Sequence, residues 1–326
     1  MRCFLLALTV SLDLIAASAA TAQSDPVAEY YDQAAPKIKE LKNRSLDATL
    51  SPSEREKAAA QLRALYPRES PSLWTAWLDD RSAPGLAQVA LTDMAGYLFA
   101  SHYHSNATGT APPSTPDATA DARELLRSLA VHADQPAVRR AALDTLGSVG
   151  DPVGLAALKE AVKAKVYEPA SALRQLSAAP KVGAPILADL AADNTVPMDL
   201  RLGAVRVMTD SPEFASHLQT LALSTTVPPE IRQEAIRSQF SVAPDAALET
   251  AVAAIGSTKG GSQKGQLVDV ITANASKLPP NGNTDQALRQ LSQDLRAQQG
   301  SDRVTTARLR GLDRAISSVE ERSALQ

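Results

Sequence analysis

The chain has 326 residues, a formal net charge of −3 and only 4% aromatic residues. Its length suits two ordinary domains or one elongated repeat body, and its charge balance argues against nucleic acid as an obligatory partner, which demands a basic face. The single cysteine, Cys3, excludes a disulfide framework and a thiolate metal cluster.

Met1 and Arg2 open a short basic start, Phe4 to Ala17 form an apolar run, and Ala20-Thr21-Ala22 is a small-residue cleavage site. Residues 1–22 therefore read as a secretory signal peptide, cleaved after Ala22. The run falls short of the roughly 20 apolar residues that span a bilayer. Asp13 adds a cost of about 2.5–3.5 kcal/mol at mid-membrane, so no integral anchor is expected after cleavage. Cys3 lies too early to carry a lipoprotein's lipid. An Ala-rich composition with Arg favoured over Lys suggests a bacterial source, and a periplasmic or secreted location follows.

Residues 23–104 read as an N-terminal helical region, either a cap or degenerate repeats. Asp25 and Pro26 open one helix, and Ser51-Pro52-Ser53-Glu54 opens a second with a capping box. Ser70 and Pro71 start a shorter helix, and a last one runs from about Pro84 to His102. Trp74, Trp77, Tyr97 and Tyr103 are candidate partner-binding residues, since aromatics anchor interfaces disproportionately. The spacing of Trp74, Trp77 and Leu78 fits a core stripe equally well. His102 and His104 share a side only if the backbone is extended, and no carboxylate follows until Asp117, so no metal is assigned to them.

Residues 105–120 are rich in Pro, Gly, Ser and Thr and read as a linker or loop. The frame of the chain then becomes clear between Asp134 and Lys163, DQPAVRRAALDTLGSVGDPVGLAALKEAVK. Asp134 is placed to cap a helix and Pro136 to occupy its first turn. Val138, Ala142, Leu143 and Leu146 form one apolar stripe, and Gly147 and Gly150 end the helix. Asp151 and Pro152 restart the cycle, with Leu155, Leu158 and Val162 as the second stripe. Weaker copies follow at Pro169, Pro197 and Pro229, each with a second helix opening near Pro185, Pro212 and Pro244. The expected fold is all-α, an α-solenoid of antiparallel helix pairs, with the repeats occupying residues 121–256.

The Asp134–Lys163 segment resembles the HEAT repeat, in the short bacterial form also seen in phycobilisome-lyase-type proteins. That consensus runs roughly Asp-Pro-x-x-Val-Arg-x-x-Ala-x-x-x-Leu-Gly-x-x-Gly-Asp-Pro. Arg139, Arg174, Arg201 and Arg232 mark equivalent positions, at intervals of 35, 27 and 31 residues. The resemblance implies that they fasten adjacent repeats by pairing with turn carboxylates such as Asp134, Asp151 or Asp210. A ladder that engages acidic groups on a partner is the alternative. Ala179, Pro180 and Lys181 stand where the family has Gly-Asp-Pro.

Residues 257–326 read as a degenerate repeat followed by a capping helix. GSTKGGSQKG, from Gly256 to Gly265, suggests a flexible linker; its spacing fails the phosphate-loop pattern. The final helix, about Asp302 to Glu321, places Leu309, Leu312, Ile316 and Val319 on one face.

His132 and His217 are isolated, and no nucleophile–base signature, haem-attachment motif or cofactor motif occurs. The sequence therefore leads to an exported, non-enzymatic scaffold or accessory subunit that mediates protein–protein interaction in the bacterial cell envelope, with no cofactor. The competing expectation is an enzyme or small-ligand binder whose dispersed residues meet in the concave groove or the aromatic N-terminal helices. A deep pocket near Trp74 to His104 would mark that case.

Overall fold

The computed structural model describes residues 25–107, 116–258, 260–298 and 303–325. The signal peptide and its cleavage after Ala22 lie outside the described residues. The described residues form sixteen α-helices joined by turns and three short 3-10 segments, with no strand among them. They divide into two units, Met1–Ala122 and Arg123–Gln326.

In the first unit, α1 (Pro26–Leu46), α2 (Pro52–Leu65), α3 (Trp74–Asp79) and α4 (Pro84–Ala107) follow in order. Asp25 caps α1 by accepting from the Val27 N–H. Ser51 and Glu54 form the expected capping box on α2. A 3-10 turn at Pro71–Leu73 feeds into α3. Helix α2 packs on both α1 and α4, and α3 packs on α4. Leu41, Leu62, Trp77, Leu86 and Met94 are fully buried between them. Helix α4 extends beyond His102 to Ala107, and the next helix starts at Pro116, so both reach into the segment read as a linker.

The unit boundary falls inside α5 (Pro116–His132). Hairpins follow: α6 (Pro136–Ser148) with α7 (Pro152–Lys163), α8 (Pro169–Ala178) with α9 (Pro180–Ala192), α10 (Met198–Arg206) with α11 (Ala215–Leu223), and α12 (Pro229–Val242) with α13 (Pro244–Ser257). The last helices are α14 (Gly261–Ala273), α15 (Gly282–Gln298) and α16 (Arg303–Ala324). From α6 onward each even-numbered helix packs on the next even-numbered one, and from α7 to α15 each odd-numbered helix packs on the next odd-numbered one. The second unit is therefore a two-layered stack in which each hairpin meets its neighbours, an α-solenoid. Its core is a continuous aliphatic seam that includes Leu143, Leu146, Leu155, Leu158, Leu187 and Leu218, each fully buried.

The best-formed repeat departs from its sequence reading at two caps. Gln135 occupies the N-cap position of α6, without a side-chain cap bond, where Asp134 was expected. Gly147 is buried inside α6 and does not end it. The stop is Gly150, at φ +67°, where its N–H bonds the Gly147 carbonyl and the Asp151 N–H bonds that of Leu146. This is a Schellman motif, which puts a glycine in the left-handed region. Asp151 then caps α7 by accepting from the Val153 and Gly154 N–H groups. At the end of α7 the same motif recurs with Lys165, φ 58°, in the glycine's place.

Two further expectations are corrected. Helix α9 opens at Pro180, not near Pro185, which lies inside it. Ala179 both ends α8 and starts α9, and this resolves the turn where Gly-Asp-Pro is missing. The segment read as a flexible linker, Gly256 to Gly265, is mostly helical, since α13 continues to Ser257 and α14 begins at Gly261. Gly265 is buried, because the guanidinium of Arg308 on α16 lies where a side chain would project. Arg308 there donates to Asp269 from Nε at 3.0 Å and Nη2 at 3.0 Å. The glycine thus serves close packing between α14 and α16. In α16, Leu312, Ile316 and Val319 are buried.

Candidate functional site

The turns that enter the even-numbered helices carry the most regular chemistry of the chain. Asp47, Asp80 and Asp193 each accept from the backbone N–H and the hydroxyl two residues on, at Thr49, Ser82 and Thr195. These local turns fix the path of the chain just before the next helix.

The fourth residue after the N-cap is the second regular feature. Arg139 Nε donates to the Ala130 carbonyl at 2.9 Å, Arg201 Nε to Ala191 at 2.8 Å, and Arg232 Nε to Ala222 at 2.9 Å. Each acceptor lies in the last turn of the preceding helix, where carbonyls lack intrahelical partners and the helix dipole favours a cation. These three arginines therefore fasten their turns through backbone carbonyls. Asp151 pairs instead with Arg127, in a fork of 2.7–3.1 Å contacts. Burial raises the Asp151 carboxyl, but the Arg127 hydrogen bond and the cap N–H groups outweigh it and hold the group below its ordinary value.

Arg174 does not belong to this column. It is exposed and stands six residues after its N-cap, Glu168; the fourth position of α8 is Ala172, which is buried. Plausible spacing along the sequence concealed a shift of two residues in the frame. Conversely, Arg55 on α2 is an unforeseen member. It stands four residues after Ser51, and its Nε donates to the Ser45 carbonyl at 3.3 Å, its Nη1 to Ser82 at 2.9 Å and its Nη2 to Asp80. The capping box at Ser51 was the signal that could have revealed it.

A cleft of about 680 Å3 opens between the α7–α8 turn and the α9–α10 turn. Val162, Leu173, Val196 and Leu200 give it an apolar floor, and Lys165 and Asp199 stand on its rim. Lys163 bridges the two turns by pairing with Asp193 at 2.9 Å. Neither the Lys165 ammonium nor the Asp199 carboxylate has a hydrogen-bond or ion-pair partner among the described residues, and both residues are exposed. The cleft is thus a preformed apolar recess with one free charge of each sign.

The aromatic candidates are placed differently. Trp74 and Trp77 are 2% and 0% exposed, inside the first unit, and present no surface to a partner. Trp74 Nε1 donates to Asp93 at 2.8 Å, Trp77 Nε1 to the Ser45 hydroxyl at 3.2 Å, and the Ser70 hydroxyl to Asp93 at 2.5 Å. Tyr97 meets Trp74 edge-to-face at 5.5 Å and donates to the Pro67 carbonyl at 2.7 Å. Burial pushes the Tyr97 phenol up to about 12 and lifts the Asp93 carboxyl above its ordinary value against two hydrogen bonds. These groups make a buried polar network that satisfies two indole N–H donors. The side chains of Tyr103, His102 and His104 lie outside the described residues. His132 is exposed at the end of α5, and His217 is half-buried on α11. Among the described residues, no group of three or more His, Cys, Asp or Glu is placed to hold a metal ion, and no helix is long and apolar enough to cross a membrane.

Fold and site together define the class: an all-α solenoid of fastened hairpins with an open cleft on its turn ridge. Residues 115–177, which span α5 to α8, match the family model for HEAT repeats. No curated protein sequence matches the chain. The crystal structure of an engineered protein is similar at 15% identity over 90% of this chain and 91% of that one, with a TM-score of 0.32.

Proposed function

We propose that the chain is an exported, non-enzymatic scaffold or accessory subunit that holds a protein partner in the bacterial cell envelope. The observation that carries this reading is the stack itself: hairpins fastened turn to turn present an extended surface, and HEAT repeats, which residues 115–177 match, commonly serve as interaction scaffolds. Export rests on the basic start, apolar run and Ala20-Thr21-Ala22 site, and the repeat is taken as the short bacterial form. The partner is a protein and not nucleic acid, in keeping with the net charge of −3. Affinity capture of the mature chain from envelope extract, followed by mass identification, tests the reading. A reproducible stoichiometric partner is expected, and repeated recovery of background proteins alone would contradict it.

One observation favours a second reading, a small-ligand binder. The cleft volume of about 680 Å3 lies within the roughly 300–1,000 Å3 usual for small-molecule sites. Its lining residues, 162–200, belong to the second unit, whereas Trp74 to His104, the place where a deep pocket would have marked this reading, belong to the first. Native mass spectrometry of protein purified from its own host separates the two, because a retained small molecule of fixed mass would favour the binder.

A further inference from the structure

The cleft between α7 and α10 lies where the arginine column is interrupted. Its wall includes Pro169 and Leu173, the first and fifth residues after the α8 N-cap. Thr195 and Leu200, two before and three after the α10 N-cap, face them. The same positions recur between the α11–α12 and α13–α14 turns as Pro229, Gln233, Thr258 and Gln263. There Arg232, the fourth residue after its N-cap, joins the lining, and the space falls to about 10 Å3. In α8 that fourth residue is Ala172. The open cleft thus stands at a repeat whose fourth residue is a buried alanine next to the lining residue Leu173, and the closed seam at one that carries the arginine.

A second observation falls on the same rim. Lys165 holds a left-handed conformation, φ 58°, in the position that Gly150 fills one helix earlier. A β-carbon there costs conformational energy that glycine avoids. Strained residues persist where the surroundings over-determine them, often at ligand sites. Lys165 is also one of the residues that line the cleft.

We infer that this cleft binds an extended segment of a partner protein, seating one large apolar side chain on Val162, Leu173, Val196 and Leu200 between an acidic group facing Lys165 and a basic group facing Asp199. The inference rests on the scaffold reading and locates its contact. Charge complementarity selects the occupant. An acyl chain with a single anionic head would meet the Asp199 carboxylate as well as Lys165, whereas a peptide can offer both signs across one apolar anchor.

The test uses the full mature chain with methyl-labelled Leu and Val, and N-acetyl-L-tryptophanamide as a neutral probe for the anchor side chain. Saturable shifts confined to Val162, Leu173, Val196 and Leu200 are expected, with a Kd on the order of 1 mM for so small a fragment. Ala172→Arg restores the missing side chain and should weaken binding at least tenfold, while Ala172→Ser leaves it within twofold. Should Ala172→Arg fail to fold, Leu200→Gln replaces it, since Leu200 is a half-buried floor residue. Absence of saturable shifts in the wild type, or equal binding by the variants, overturns the site. Decanoate shifting the same methyls while the tryptophan probe does not overturns the peptide occupant in favour of an acyl chain. Affinity capture with the wild type and Ala172→Arg separates this inference from the reading beneath it. A partner lost from the variant supports the cleft, and a partner retained by it overturns the cleft and leaves the scaffold standing. No partner with either protein, despite probe binding, overturns the scaffold reading and the peptide occupant together.

Discussion

Replacing Arg55 with Met should damage the protein far more than replacing Arg201 with Met, although both arginines occupy the same position after an N-cap and both are buried. Arg55 is 2% exposed, and its nitrogens meet a backbone carbonyl, a hydroxyl and the Asp80 carboxylate. Breaking a buried ion pair from one side typically costs about 3–5 kcal/mol, a large share of the roughly 5–15 kcal/mol that holds a domain folded. Arg201 is 4% exposed and bonds the Ala191 carbonyl, but its Nη2 is buried without a hydrogen-bond partner among the described residues. Losing a charged hydrogen bond costs roughly 1.5–3 kcal/mol, and relieving a buried unpaired donor returns roughly 1–3 kcal/mol. The two terms nearly cancel, so the expected loss is about 1 kcal/mol, and the methionine keeps most of the stem's packing. Urea denaturation followed by helical circular dichroism measures the loss, and hydrogen exchange assigns it to α1–α2 or α9–α10. Equal losses, or a larger one for Arg201→Met, would refute the reasoning.

Three other outcomes are expected. Lys165→Gly should raise the stability of the α7–α8 region by about 0.5–1 kcal/mol, because the left-handed backbone costs a β-carbon residue roughly 1–2 kcal/mol while glycine's flexibility takes back part of the gain; a lower melting temperature would count against it. Asp151→Asn keeps a capping side chain but loses the pair with Arg127. Because the folded state holds the Asp151 carboxyl low, its stabilisation is present above the unfolded pKa and disappears as pH falls through the folded value. The variant's urea midpoint should therefore fall less than the wild type's below about pH 4. Asp93 has the opposite sign: its folded pKa is raised, so its contribution is full below the unfolded value and declines as pH rises through the folded one. Asp93→Asn should flatten that decline from about pH 4 upward, and an unchanged pH profile would show that burial does not govern this carboxyl.

The helices were legible because their punctuation is local. Ser51 with Glu54, Asp151 with Pro152, and the prolines at 26, 84, 136, 169, 229 and 244 each announce a helix within one turn of its start. The register of the arginine column was not legible, because Arg174 sits at plausible spacing while the frame that matters is set by Glu168, a cap recognisable only from its bonds to the Ala170 and Ser171 N–H groups. Gly265 looked like linker because its reason for being glycine, the Arg308 guanidinium, lies on another helix. The tryptophans suited core and interface alike by spacing, and their partners Asp93 and Ser45 are remote in sequence. The cleft coincides with Ala172, where the column has no arginine, and a small residue in a helix carries no motif.

The central claim, that this solenoid holds a specific protein partner at its α7–α10 cleft, is tested most directly by photocrosslinking in the native host. A photoreactive phenylalanine analogue is placed at Ala170, on the cleft wall, and separately at exposed Gln219 on α11. The account predicts one dominant adduct with a single protein from position 170 and little or none from position 219. No adduct from position 170 at native expression would contradict it.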